Sequence, residues 1–331
     1  MRSTMAAAFD FSELSPDLIL DACQHYGFYA ESGLLALNSY ENRVYQFKAD
    51  DGERYVVKFY RPQRWSAAQI QEEHQFAFEL QAAEIPVVAP LKVAGESLLP
   101  YLGYQFAIFP SRGGRALEAD DDEQLCQLGR FLGQLHQLGS ARPFTARPTL
   151  SVQEFIIDSQ QFLVSSGLLS QHIEQQLNTV LEQLTQLCLQ QFRPKQLIRT
   201  HGDCHLGNLF FNQQPFFVDL DDCRQAPAMQ DVWMLLGGDA TEQRYKLELL
   251  LEEYQQFCDF DFSQLQLIES LRSMRMVHYM AWLARRWSDP AFPLHFPWFN
   301  TDAYWQQQLV VLQDQCLRMQ QPPLRLHPYD Y

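Results

Sequence analysis

The run PSRGGR at residues 110–115 separates two different hydrophobic periods, and a chain that changes period in this way needs two separately built layers of structure. Ahead of it, residues 34–37, 43–47 and 54–60 are short β-rich runs divided by polar turns at 38–42 and 49–52, the pattern of an antiparallel meander. A short helix precedes the meander, with Ser15 as cap, Pro16 in the first turn and Gly27 as stop. A longer helix over 67–83 follows it, capped by Ser66, carrying Ile70, Phe76 or Ala77, and Leu80, and ended before Pro86 and Pro90. Further strands are expected at 91–93 and 104–109. Behind the divide the period is helical, as in Leu125, Leu128, Phe131, Leu132 and Leu135 up to Gly139. The glutamine-rich stretch 170–191 presents Ile173, Leu177, Val180, Leu184 and Leu187, barely two heptads, and so reads as a core helix rather than a coiled coil. Brief strands at 196–201, 209–211 and 216–219 frame a polar loop within this helical half.

Composition narrows the partners. Forty acidic against 25 basic residues give a net charge of −15, which repels phosphate backbones and anionic lipid, so neither nucleic acid nor a membrane is expected as a partner. Seven dispersed cysteines without a CxxC pair fit reduced thiols, and the only apolar stretch near residue 1 is too short for a signal-peptide core. A cytoplasmic protein, working as a monomer, is the expectation.

Three polar clusters resist explanation by folding alone. His201-Gly202-Asp203-Cys204-His205-Leu206-Gly207-Asn208 is a polar turn between apolar strands; Phe216 to Asp222 ends a strand with carboxylates at 219, 221 and 222; and Lys58, one of five lysines, stands in the middle of the apolar strand YVVKFY. Crowded carboxylates need a counter-ion, and an oxygen-rich set suits Mg²⁺. Together these residues fit phosphoryl transfer from ATP, which needs a cation for the nucleotide phosphates, metal ligands, and a carboxylate to take the nucleophile's proton. Asp203 and Asn208 have the five-residue spacing of a kinase catalytic loop, base followed by metal ligand, and Asp219 follows as the other metal ligand. Lys58 would hold the phosphates, oriented by Glu72 or Glu73 of the helix after Ser66. His205 is a loop histidine or a second proton carrier, Cys204 a structural thiol, and one of Asp221 and Asp222 a solvated or capping carboxylate.

HGDCHLGN followed by FVDLDD resembles the catalytic and metal-binding signatures of the aminoglycoside phosphotransferase and choline kinase family. The likeness extends over most of the chain, through VVKFY, EEHQFAFEL with IPVVAP, and QDVWML, where Asp231 matches the aspartate that braces the catalytic loop. It implies an α/β (α+β) architecture: the two-lobe protein-kinase-like fold, with a strand-rich N-lobe (1–109) and a helical C-lobe (110–331), ATP between them. It implies Asp203 and Asp219 as catalytic residues, Asn208 and Asp219 on Mg²⁺, and Glu73, counted back from Pro86, as the partner of Lys58. The chain lacks GxGxxG and APE segments and has Asp219-Leu220-Asp221 in place of DFG. In the loop 38–42, backbone amides and Ser39 would therefore cover the phosphates without glycine. LNSYENRVYQF and MAWLARRWSDPAFPLHFPWF are similar to a bacterial Ser/Thr protein kinase branch of the family, which implies protein substrates. The alternative is a small-molecule kinase of choline, homoserine or aminoglycoside type. The acidic balance adds the expectation that basic protein substrates are preferred. A metallohydrolase built on His201, Asp203 and His205 would leave Lys58 and Asn208 without a role, and a non-catalytic binding module would not need the full set.

Overall fold

The computed structural model describes residues 10–326, which divide into two compact units. One runs to Arg115 and also takes in Thr145–Arg147 and Phe210–Asp221; the other holds Ala116–Phe144, Pro148–Leu209 and the chain from Asp222 onward. The first unit is thus built from three stretches of sequence, two of which return to it after the PSRGGR run.

The first unit is a five-stranded antiparallel sheet of order β1-β2-β3-β5-β4: β1 Leu35–Ala36, β2 Arg43–Lys48, β3 Arg54–Phe59, β4 Leu99–Tyr101 and β5 Tyr104–Pro110. Alternation along the strands divides its side chains between two faces. Phe47, Val57, Phe59, Phe106 and Ile108 join Ile19, Ala22 and Cys23 of α1 (Pro16–His25) in one apolar cluster. On the opposite face Tyr60 and Ala107 pack with Ile70 of α2 (Ala67–Ala82) and with Leu98. Lys58 lies on this second face, opposite Val44 of β2 and Ala107 of β5. Ser66 and Gln69 close a reciprocal capping box that starts α2, satisfying two end donors and setting the helix where it covers the lysine.

The strand expected at 91–93 does not form. Leu91 makes a single backbone bond to Ile108 (2.7 Å), and Val93 turns back onto Glu96 across Ala94 and Gly95, both at positive φ (51° and 93°). Pro90 and that turn leave too few residues for a ladder, and the sheet edge is supplied by β4 instead.

In the second unit, α3 (Asp122–Ser140) lies against α7 (Ala240–Tyr254). Its Gly129 and Gly133 permit that approach, since a Cβ would stand 2.1 Å from the Leu250 carbonyl oxygen at the first and 2.5 Å from that of Tyr254 at the second. α5 (Gln171–Gln191) buries Ile173, Leu177, Val180, Leu184 and Cys188 against α8 (Ile268–Arg286) and α10 (Asp302–Arg318). α4 (Asp158–Ser165), α6 (Met229–Val232) and α9 (Ala291–His295) complete the helices, and β7 (Ile198–Thr200) pairs antiparallel with β10 (Arg224–Ala226). β6 (Arg115–Ala116) lies where the chain passes from one unit to the other. The hairpin β8 (Leu209–Asn212) to β9 (Gln214–Phe217) carries the chain back into the first unit. Among the described residues no helix is long and apolar enough to cross a membrane.

Candidate active site

In the first unit the buried lysine gathers three carboxylates. Lys58 Nζ stands 2.7 Å from Asp219 Oδ1, 3.3 Å from Asp221 Oδ1 and 3.9 Å from Glu73 Oε1. Burial opposes its charge, but Asp219, Asp221 and Glu73 outweigh it and hold the ammonium well above the ordinary lysine range. Glu73, 3% exposed, is pushed by burial up to about 7, with Lys58 opposing. It shares the sheet-facing side of α2 with Ile70 and Ala77 at helical spacing. Glu72, one residue on, turns away and accepts from the backbone nitrogens of Thr145, Ala146 and Arg147 at 2.6–2.7 Å and from the Thr145 hydroxyl at 2.8 Å. The choice left open between the two glutamates is resolved by helix register: Glu73 faces Lys58.

β9 brings Asp219 to the lysine. It lies beside the segment after α2 through Phe217 N to Pro86 O (2.8 Å) and Val88 N to Phe217 O (3.1 Å), and two residues later Asp219 takes φ 60°, a left-handed conformation that Asp tolerates better than most residues. The Asp219 side chain is 47% exposed whereas that of Asp221 is 5% exposed. Asp221 is a structural carboxylate, held by Lys58, Arg64 and the Asn42 amide (3.1 Å), while Arg147 donates to its backbone oxygen. Asp222 is the more exposed neighbour, paired with Arg224 at 3.2 Å.

The loop that carries Ser39 is shaped by Arg61 rather than by glycine. Its guanidinium donates to the carbonyls of Glu41 (2.8 Å) and Tyr40 (3.1 Å) and pairs with the Glu41 carboxylate (3.0 Å), and its backbone N–H is accepted by Asn42 Oδ1 (3.0 Å). The Ser39 hydroxyl donates to the Asn42 carbonyl at 3.3 Å, closing the turn on itself.

In the second unit the loop after β7 is braced from beneath. The buried Asp231 accepts from His201 N (2.6 Å) and Gly202 N (2.8 Å), and its Oδ2 is 3.1 Å from His136 Nε2, whose Nδ1 meets the Tyr254 hydroxyl at 2.8 Å. Gly202 (φ 86°) leaves no room for a side chain, since a Cβ would stand 2.0 Å from the Asp222 carbonyl oxygen. Asp203 emerges from this frame with Oδ1 paired to Arg275 of α8 and Oδ2 3.4 Å from His205 Nε2. Burial alone would raise its carboxyl, but the His205 hydrogen bond and the Arg275 charge outweigh it and keep Asp203 below the usual range, hence ionised. Asn208 Nδ2 donates to the Asp203 carbonyl (3.0 Å), which fixes the orientation of its side-chain amide. Cys204 is fully buried, and burial holds its thiol well above the usual range.

Among the described residues no group of three or more His, Cys, Asp or Glu side chains is placed to hold a metal ion by itself. Sequence reasoning missed Asn42, Arg61, Arg64, Arg147 and Arg275. The one available signal was arginine placed among apolar neighbours in a chain poor in cations.

A profile of the phosphotransferase enzyme family matches residues 34–268. The chain belongs to that family. It is 49% identical over 326 residues to the serine/threonine protein kinase RdoA of Salmonella typhimurium, covering 97% of this chain and 98% of the relative. Stress response kinase A of Escherichia coli is 47% identical over 323 residues with the same coverage. Among solved structures, amicoumacin kinase hAmiN in complex with AMP-PNP, Ca²⁺ and Ami superposes with a TM-score of 0.71 at 20% identity, covering 95% of both chains. A microcompartment-associated aminopropanol kinase gives 0.68 at 17% identity, over 95% of this chain and 100% of that one. At such identities the structural likeness establishes the fold, an antiparallel N-terminal sheet and a helical C-terminal half, and the enzyme is a phosphotransferase.

Proposed function

We infer that this enzyme is an ATP-dependent Ser/Thr protein kinase of the cytoplasm. The observation that carries the reading is the placing of Asp203 on a loop braced by Asp231, its carboxylate paired with Arg275 and 3.4 Å from His205 Nε2, with the Asn208 amide five residues on donating to its backbone carbonyl. The acceptor hydroxyl oxygen would form its bond to the γ-phosphorus as the bond to the bridging oxygen of ADP breaks, in line, and Asp203 would take the hydroxyl proton. Lys58, kept protonated and oriented by Glu73, would bind the nucleotide's phosphate oxygens. The loop that carries Ser39 would cover those phosphates. Mg²⁺ held by Asn208 and Asp219 would neutralise charge on the transferring group. The braces from Asp231 and Arg61 hold these groups in place before substrate arrives, so little reorganisation accompanies transfer.

The protein acceptor is supported by the relatives named as serine/threonine and stress response kinases, which share nearly half of all residues over the whole length. The test is incubation with labelled ATP, Mg²⁺ and acceptor proteins, followed by mass spectrometry. Phospho-Ser or phospho-Thr should form and fall by about two to four orders of magnitude in Asp203→Asn, with nucleotide binding retained. Turnover of an amino alcohol or sugar without any phosphoprotein would reject the reading.

A further inference from the structure

Arg275 pairs with Asp203, the proposed base, and helps keep it ionised, but that pairing does not use the whole guanidinium. Its guanidinium has five N–H donors in a fork, and Asp203 is its one ion pair among the described residues, leaving donors on a side chain 39% exposed. A positive charge fixed beside the base disfavours an ammonium at that point and favours a carboxylate. On the same face of α8, one and two turns on, come Tyr279 and Trp282, stacked at 5.6 Å with ring planes 16° apart. Trp282 contacts Phe292 (5.1 Å) and Phe296 (5.9 Å), and Phe296 meets Trp298 at 5.8 Å. Tyr279 is 41% and Trp298 45% exposed. Arginine and large aromatic side chains in one surface strip are the composition that anchors protein partners.

We propose that the α8 face running from Arg275 to Tyr279, continued by Trp298, is the docking surface for the polypeptide segment that carries the acceptor hydroxyl, with Arg275 reading an acidic side chain next to that hydroxyl. This rests on the protein-kinase reading above and adds the substrate class to it. Spacing supplies a recognition rule. Four to seven helical residues cover about 6–10 Å, which an extended segment crosses in about two to three residues. The accepted segment therefore has an acidic residue adjacent to its Ser or Thr and an aromatic or large apolar residue about two to three positions away. The overall negative charge, which favours basic partners at long range, is compatible with this rule, because the guanidinium acts at contact distance.

Three synthetic peptides test it: one Ser peptide with both features, one with the acid replaced by Lys, and one with the aromatic replaced by Gly. With the wild-type enzyme each loss should raise KM about tenfold, the scale of one charge-assisted hydrogen bond or one buried aromatic. Arg275→Glu should reverse the preference between the acidic and Lys peptides. Tyr279→Ser should abolish discrimination against the Gly peptide through KM, with the acid preference kept. Ratios between peptides are taken within one preparation of each variant, so partial loss of folded enzyme cancels. If the wild-type enzyme phosphorylates the peptides but both variants keep its ranking, the docking surface is wrong and the kinase reading stands. If no peptide is phosphorylated while an amino alcohol turns over, the kinase reading falls and takes the docking surface with it.

Discussion

Replacing Glu73 by Gln should change the shape of the stability curve with pH, and the size of the change follows from where the carboxyl sits. In the folded protein burial raises it from 4.5 to about 7, with Lys58 3.9 Å away opposing and Asp221 assisting. Between those values the folded chain holds a proton that the unfolded chain has released. Stability from this group is therefore complete below the unfolded value and is lost as pH rises through the folded one. At about 1.4 kcal/mol per unit the loss is about 3 kcal/mol. Gln occupies nearly the same volume and does not titrate. The difference between variant and wild type should therefore move in the variant's favour by about 3 kcal/mol between about pH 5 and pH 8, with every other titrating group cancelling in the comparison. Urea unfolding followed by the fluorescence of the six tryptophans reads both curves. Parallel curves would refute the reasoning, since they would mean that Glu73 carries the same charge in the folded and unfolded chains across this range. The same variant should lose turnover, because Lys58 would keep only Asp219 and Asp221 as carboxylate partners and one of these is proposed to be needed by the metal.

Asp219→Asn should weaken ATP binding in the presence of Mg²⁺ as well as turnover, and calorimetry should show its affinity equal with and without EDTA, whereas Asp203→Asn keeps the wild-type metal dependence. Gly133→Ala, which would place a methyl 2.5 Å from the Tyr254 carbonyl oxygen, should lower stability by about 1–3 kcal/mol and reduce activity through the His136–Asp231 brace; unchanged thermal unfolding would show that α3 and α7 can separate without penalty.

The parts of the site legible in the sequence are those whose chemistry is local. Asp203 and Asn208 belong to one turn, so their spacing already fixes their relation, and Lys58 is conspicuous because a lysine inside an apolar strand needs partners. What the sequence could not settle depends on register between elements. Glu72 and Glu73 are equivalent as text, but adjacent helix positions point about 100° apart, and only the seating of Ile70 and Ala77 on the sheet decides which one meets the lysine. The strand expected at 91–93 failed for a related reason. Its apolar residues suit a strand, but Pro90 and the Ala94-Gly95 turn leave it no length, and β4, only three residues long at Leu99–Tyr101, gave too short a pattern to find. Arg64 and Arg275 reach carboxylates 157 and 72 residues away, and Arg147 a backbone carbonyl 74 residues away, distances over which spacing carries no information.

Arginines also explain how so acidic a chain tolerates its partly buried carboxylates. Asp203, Asp221 and Asp222 are each met by a guanidinium, from Arg275, Arg64 and Arg224, although the chain has only 25 cationic residues against 40 acids. Arginine suits this work because it stays charged when partly buried and offers several donors in a plane, so one side chain can hold a carboxylate and a neighbouring carbonyl together, as Arg224 does with Asp222 and Arg61 with Glu41. Among the lysines, buried Lys58 stands apart in facing three carboxylates with a compact ammonium. Net charge therefore describes the approach of a partner from a Debye length away, while the identity of what can bind is decided by which carboxylates an arginine has already claimed and which, like that of Asp219, remain half open to solvent.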